Sequence, residues 1–341
     1  MFEALWGWPP PILDPAGPYA ASVTTLAWAL IAMGVVVTAI IIAALWAAIK
    51  GPPWIKSRLG GKMAVWIGGI AFPGVVLTGL LIWGLTLTAS LTQPITGQEM
   101  RIRVTGEMWW FRVQYLNDAG QVIINDANEL HLPVGVPVVL ELRSADVIHS
   151  FWVPHLSGKK DMIPGRTNLL RVEASKPGEY GGVCAEYCGG PHALMGFVTV
   201  AHAPEDWRRW SAARIAREDA DLPAPQPRNT PLPAIYTDVD LPRDRTLLGD
   251  PQRGRELFMT SGCGACHRVA GTEANGLAGP DLTHVGARLS LGAGILPNHR
   301  GTLIGWIGDS QSIKPGNRMP SYDRLSAEEL HSIAAWLEQL R

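Results

Sequence analysis

The chain opens on two long apolar stretches, Val23 to Ala48 and Met63 to Ala89, neither of which contains a charged side chain. Each exceeds the roughly 20 residues that a helix needs to cross the hydrocarbon core of a bilayer. The pattern predicts a two-helix transmembrane hairpin. The loop between the stretches carries Lys50, Lys56, Arg58 and Lys62 and no acid. It therefore faces the cytoplasm, and both chain ends lie on the opposite, periplasmic side. A cleaved signal peptide is the competing reading of the first stretch. It fits badly, because Glu3 and Asp14 precede the run without any Lys or Arg and the run is too long. Gly68, Gly69, Gly74 and Gly79 in the second stretch suit close packing against partner helices.

After Met100 the pattern changes to short β-type runs: Arg101 to Thr105, Phe111 to Tyr115, Val136 to Arg143, Asn168 to Glu173 and Gly196 to Val200. Turn segments such as Asn117-Asp118-Ala119-Gly120 separate them. Strands at this spacing predict a sandwich or small barrel over residues 96–203. Residues 204–248 turn charged and proline-rich: a short helix from Glu205 to Arg217, then an extended spacer from Leu222. A third unit, residues 249–341, reads as all-α. Asp250-Pro251 is a helix start, Ser326 to Glu329 a capping box, and Leu330, Ile333, Ala334 and Leu337 an apolar stripe. Residues 1–95 complete the plan as the N-terminal segment and membrane anchor.

Over 341 residues the formal net charge is −1, which gives no nucleic-acid signature. The four cysteines form two close pairs. Disulfides are the bland reading outside the cytoplasm, but histidines adjoin both pairs. Cys184-Ala-Glu-Tyr-Cys188-Gly-Gly-Pro-His192-Ala-Leu-Met195, with His149 at the end of an earlier strand, offers two thiolates, two imidazoles and a thioether. That soft set suits copper, and two bridging thiolates can hold two ions that share one electron. A Cys2His2 zinc site is the alternative, Met195 being the tilt towards copper. Cys263-Gly-Ala-Cys266-His267 has the spacing of covalent haem c attachment; a redox dithiol or half a zinc site are the other readings. The sixth iron ligand is then Met319, the one Met after the motif, with His284, His299 and His331 as alternatives.

The ligand run, together with His149-Ser-Phe-Trp-Val-Pro and the segment from Lys160 to Asn168, resembles subunit II of cytochrome c oxidase. The resemblance covers residues 20–203 and implies a cupredoxin barrel with a CuA centre at its rim. It implies that Cys184 and Cys188 bridge both coppers. His149 and Met195 would complete one, and His192 with the backbone carbonyl of Glu186 the other. The Glu186 side chain would point to a Mg²⁺ at the interface with the catalytic subunit. Trp109, in Gly106-Glu107-Met108-Trp109-Trp110-Phe111, falls where the family places the tryptophan through which electrons enter; simple core packing is the alternative. Residues 249–341 resemble class I cytochromes c. That likeness implies Met319 as axial ligand and the Pro280 carbonyl as acceptor from the proximal imidazole.

The two resemblances imply an oxidase subunit of a prokaryotic inner membrane, with both redox domains on the periplasmic face. Electrons would pass from a donor such as a cytochrome c or a bc1-like complex to haem c, then to CuA. From there they would reach a haem-copper catalytic subunit I, with other membrane subunits, for oxygen reduction coupled to proton translocation. A CuA-containing nitric oxide reductase or a stand-alone membrane-anchored carrier are the rival readings. Two features depart from the family pattern. The second span lacks the carboxylate that many relatives carry near its cytoplasmic start, so proton loading there is not carried over. The outer domains balance acids and bases, and tethering to a local concentration of roughly millimolar would dock the haem domain without a strongly charged face.

Overall fold

The computed structural model describes residues 9–92, 99–218 and 249–341; the proline-rich spacer expected from Leu222 lies outside them. Helix α1 (Pro18–Lys50) starts with Pro in its first turn, where the missing N–H costs nothing. After the short α2 (Pro53–Leu59), α3 runs over Lys62–Leu91. Both long helices exceed their sequence-predicted spans. Ile40, Leu45, Trp46 and Leu81 are among the apolar side chains they expose. α3 contains a π-helical turn over Ile67–Ala71, just before Pro73. A proline ring clashes with the carbonyl four residues earlier, here that of Gly69, and the widened turn relieves it.

The middle domain is a sandwich of two five-stranded sheets. The strands are β1 (Met100–Glu107), β2 (Trp110–Leu116), β3 (Val122–Ala127), β4 (Glu129–Pro133) and β5 (Val138–Ser144). They continue with β6 (His149–Trp152), β7 (Lys160–Met162), β8 (Asn168–Val172), β9 (Gly178–Cys184) and β10 (Gly196–His202). One sheet has the order β3-β2-β1-β5-β8 and the other β4-β10-β9-β6-β7. β1 runs parallel to β5 and β4 to β10. Phe111, Phe151 and Phe197 meet between the sheets with ring centroids 4.7 to 6.2 Å apart. The sequence pattern found β1, β2, β5, β8 and β10 and missed the other five. β9 carries three glycines, which break the β-type pattern, yet a Cβ on Gly182 would stand 2.1 Å from the Phe197 ring. The absent side chain makes room for that ring.

Helix α4 (Pro204–Glu218) follows β10 directly, as its charged sequence predicted. Trp207 and Trp210 pack on Tyr115 and on the stacked His131–His202 pair. The last domain is helical: α5 (Pro251–Thr260), α6 (Arg300–Gly308), α7 (Ser310–Ile313) and α8 (Ala327–Leu337). Asp250 accepts from the Gln252 amide at 2.9 Å and Ser326 forms its capping box with Glu329. α5 and α8 cross at Gly254, where a Cβ would stand 1.9 Å from the Ser332 carbonyl oxygen. Phe258 and Trp336 fill the core beside that crossing. The buried face of α8 is wider than the predicted stripe: Ser332, Ala335 and Trp336 are buried, while Leu330 is half-buried.

Candidate copper and haem sites and the domain junction

Three strand ends converge at one rim of the sandwich. β6 begins at His149, β9 ends at Cys184, and residues 185–195 loop across to β10. The Cys184 amide donates to the Met195 carbonyl at 2.9 Å and closes the loop. The Cys184 and Cys188 sulfurs lie 3.8 Å apart. His149 Nδ1 is 3.9 Å from Cys184 Sγ, and His192 Nδ1 is 3.4 Å from Cys188 Sγ. Met195 Sδ is 3.8 Å from Cys188 Sγ. Cys184 Sγ approaches the Glu186 carbonyl oxygen at 3.3 Å, while the Glu186 side chain stands exposed. The structure therefore brings His149, Cys184, Cys188, His192, Met195 and the Glu186 carbonyl into one cluster.

The cluster is sheltered. His149 is fully buried, Met195 and both cysteines nearly so. A Cβ on Gly106 would stand 2.8 Å from His149 Cδ2, so only glycine lets the imidazole lie against β1. Burial and the neighbouring Cys184 push the Cys188 thiol up to about 12. Burial acts the same way on Cys184, but hydrogen bonds with His149 and the backbone of Ser150 and Glu186 bring it below the ordinary thiol range. Thiolates at such a site need a cation, which a bound metal supplies. Two sulfurs, two imidazoles and a thioether fit copper better than zinc, because tetrahedral zinc has no use for the fifth, soft donor.

Asp146 was not singled out in the sequence. Its Oδ1 lies 2.8 Å from His149 Nε2 and accepts a hydrogen bond from it, which leaves Nδ1, facing Cys184, as the metal-seeking nitrogen. Its position three residues before a candidate ligand is the signal that could have found it. Trp109 is half-buried, and its indole N–H donates to the Cys188 carbonyl at 2.9 Å. Gly190 faces the same ring, with a Cβ position 3.4 Å from it.

In the last domain Cys263 is buried and Cys266 exposed. His267 Nδ1 lies 2.7 Å from the Pro280 carbonyl oxygen, which leaves Nε2 as the metal-seeking nitrogen. Burial, partly offset by that bond, lowers the imidazole's pKa and favours the neutral form a metal requires. A Cβ on Gly279 would stand 2.6 Å from the His267 ring, so the backbone lies flat against it. These features fit a c-type haem: two thiols, an imidazole braced by a carbonyl, and a backbone cradle. Met319 is half-buried in the same core, and its carbonyl accepts from Ser310 and Gln311 at 2.7 and 2.6 Å. Of the other axial alternatives, His284 is buried with both nitrogens unpartnered and held at about 3, first by burial; His299 caps α6.

The two outer domains touch through specific contacts, several of them buried and none legible in the sequence. Arg288 donates to Asp126 at 2.9 Å, with both residues buried. The Leu289 amide donates to Glu129, and Arg268 pairs with Glu218 of α4 at 2.8 Å. Arg112 reaches the Leu277 carbonyl at 2.7 Å. Ala293 packs on Trp110, and its carbonyl accepts from the Gly196 amide at 2.9 Å. The junction is thus a fitted interface, more than the charge-neutral docking that tethering alone would need.

A sheltered Cys/His/Met cluster on a β-sandwich and a Cys-x-x-Cys-His helical domain, behind two apolar helices, define a membrane-anchored redox protein of cupredoxin and cytochrome type. Residues 100–202 match the family model for the cytochrome c oxidase subunit II periplasmic domain, and residues 251–341 that for cytochrome c. Cytochrome c oxidase subunit 2 of Alkalihalophilus pseudofirmus is 33% identical over 343 residues, covering 96% of this chain and 90% of that protein. The Bacillus subtilis subunit 2 is 28% identical over 250 residues, 70% of this chain and 62% of its own. The solved periplasmic domain of subunit II from Bradyrhizobium japonicum is 27% identical and covers 34% of this chain and 92% of its own, with a TM-score of 0.32. The chain belongs to the cytochrome c oxidase subunit 2 family, a subunit of a respiratory oxidoreductase, and carries a cytochrome c domain at its C-terminal side.

Proposed function

We propose that electrons enter this chain at its C-terminal domain and leave through the Cys184/Cys188 pair. They pass to a haem-copper catalytic subunit I in the same membrane, where oxygen is reduced and protons are translocated. The observation that carries the reading is one buried pocket holding two thiols, two imidazoles and a thioether, with the Cys-x-x-Cys-His domain docked beside it. When bound, a copper pair and a covalent haem supply the one-electron chemistry that side chains lack.

In this reading Cys184, Cys188, His149, Met195, His192 and the Glu186 carbonyl would together hold a copper pair. The Glu186 carboxylate, a hard oxygen donor, takes a Mg²⁺ at the partner interface. Cys263 and Cys266 would hold a covalent haem, with His267 and Met319 as its protein donors and the Pro280 carbonyl fixing the His267 ring. Trp109 bridges the domain junction and the copper loop. The sandwich excludes water and holds the ligands stiffly, which keeps rearrangement small on each electron transfer.

The domain boundaries that go with this reading are 1–95, 96–203, 204–248 and 249–341. The two apolar helices set the chain in a prokaryotic inner membrane with its redox domains on the periplasmic face, beside subunit I and other membrane subunits. The donor is a cytochrome c or a bc1-like complex. Purification from membranes with the partner subunits, followed by oxygen uptake with reduced cytochrome c, tests the function. Oxygen uptake lost on Cys188→Ser supports it. Consumption of nitric oxide in place of oxygen assigns the chain to a reductase instead.

A further inference from the structure

We propose that Lys314 is a positioning residue for electron transfer between the two outer domains, pinning the haem-bearing domain to the main chain of Trp109. The inference rests on the reading of the two redox sites given above.

Lys314 follows α7 and is 3% exposed, rare burial for an ammonium. Its Nζ donates to two carbonyl oxygens, that of Gly292 at 2.9 Å in its own domain and that of Trp109 at 2.7 Å across the junction. Trp109 is the residue whose indole N–H holds the Cys188 carbonyl at 2.9 Å. One side chain thus ties the C-terminal domain to the residue that touches the copper loop. A buried amine without hydrogen-bond partners is strongly disfavoured, so the docked arrangement is the one that satisfies it.

The loop that supplies the second carbonyl is shaped for this contact. Gly292, Ala293 and Gly294 all have left-handed backbones, with φ of 66°, 68° and 85°. That geometry is strained for Ala293. It turns the Gly292 carbonyl to Lys314 and the Ala293 carbonyl to the Gly196 amide. A Cβ on Gly294 would stand 3.0 Å from the Gly196 carbonyl carbon, so the loop lies directly on the strand that follows Met195. The left-handed loop and the buried amine therefore hold the copper domain at two points, the Gly196 amide and the Trp109 carbonyl.

The test is the rate of copper reduction after rapid haem reduction in the purified oxidase complex, for the native chain, Lys314→Met and Lys314→Gln. Haem absorption and the copper spin-resonance signal verify that each variant is assembled. Expected is a drop of at least tenfold for Lys314→Met, with unchanged midpoint potentials and with a dependence on solvent viscosity that the native chain lacks. Lys314→Gln, which keeps donors for the carbonyls, should recover part of the rate and serves alone if Lys314→Met fails to assemble. A native rate in assembled variants, or slowing explained by shifted potentials, overturns the role of Lys314. Absence of haem-to-copper transfer in the native chain overturns the underlying reading instead.

Discussion

Oδ1 of Asp146 lies 2.8 Å from Nε2 of His149, while Oδ2 accepts from the Met108 amide at 2.8 Å and faces Arg318 of the C-terminal domain at 3.6 Å. A single carboxylate thus orients a copper-donor candidate and meets the residue next to Met319. Outer partners of this kind tune metal affinity by about 10–100-fold. Asp146→Ala should lower copper retention by that order, measured by dialysis against a chelator, and Asp146→Asn by less. Native retention in Asp146→Ala would show that the carboxylate does not position the imidazole.

Gly279→Ala should disturb the haem domain although it touches no sulfur. The added Cβ would stand 2.6 Å from the His267 ring and must move either the ring or the backbone that carries Pro280. Overpacking of this kind costs about 1–3 kcal/mol. The expected outcome is a lower unfolding temperature together with a changed haem absorption spectrum. A stability loss without spectral change would separate the glycine from the proximal ligand.

The buried pair of Asp126 and Arg288 makes the domain junction sensitive to single charge deletions. Burial alone would raise the Asp126 carboxyl, but Arg288 and Arg214 hold it below its ordinary value. Asp126→Leu strands the Arg288 guanidinium, and breaking a buried pair costs about 3–5 kcal/mol. Thermal unfolding and protease sensitivity at the junction should both reveal it. Asp126→Leu combined with Arg288→Leu should recover most of the loss; a double variant as unstable as the single one would contradict the pairing.

Stability should also fall with mild acid at the root of α4. Burial, then the neighbouring His131, lowers His202 to about 4, against 6.5 for a free imidazole. The unfolded chain therefore binds more protons between these values, and stability decreases as pH drops from 6.5 towards 4. Partial exposure limits the effect to about 2 kcal/mol. His202→Phe should flatten that part of the pH profile of the unfolding temperature. An equally steep profile in the variant would place the acid-sensitive group elsewhere.

The sequence revealed the architecture wherever pattern and fold share one period. The two spans, α4, the capped α5 and α8 and five of the strands follow from apolar spacing and cap residues. β4 escaped although Glu129-Leu130-His131-Leu132 alternates, because it is only five residues long and runs straight into the turn residues Pro133 to Gly135. β9 escaped because its glycines interrupt the β-type pattern, Gly182 making room for the Phe197 ring. The ligand candidates were legible because soft donors at fixed spacing are rare. Asp146, Lys314, Asp126 and Arg288 were not, since their roles depend on contacts between residues far apart in the chain. Charged residues that cross a domain junction look like solvated surface until the domains are brought together.

Electron spin resonance of the oxidised, purified complex, read beside its copper and haem content, tests the central assignment most directly. The expected signal is that of one unpaired electron shared equally by two coppers, with two coppers in the Cys184/Cys188 pocket and one covalent haem on Cys263 and Cys266. A single-copper signal, zinc in the pocket, or a C-terminal domain without haem would contradict it.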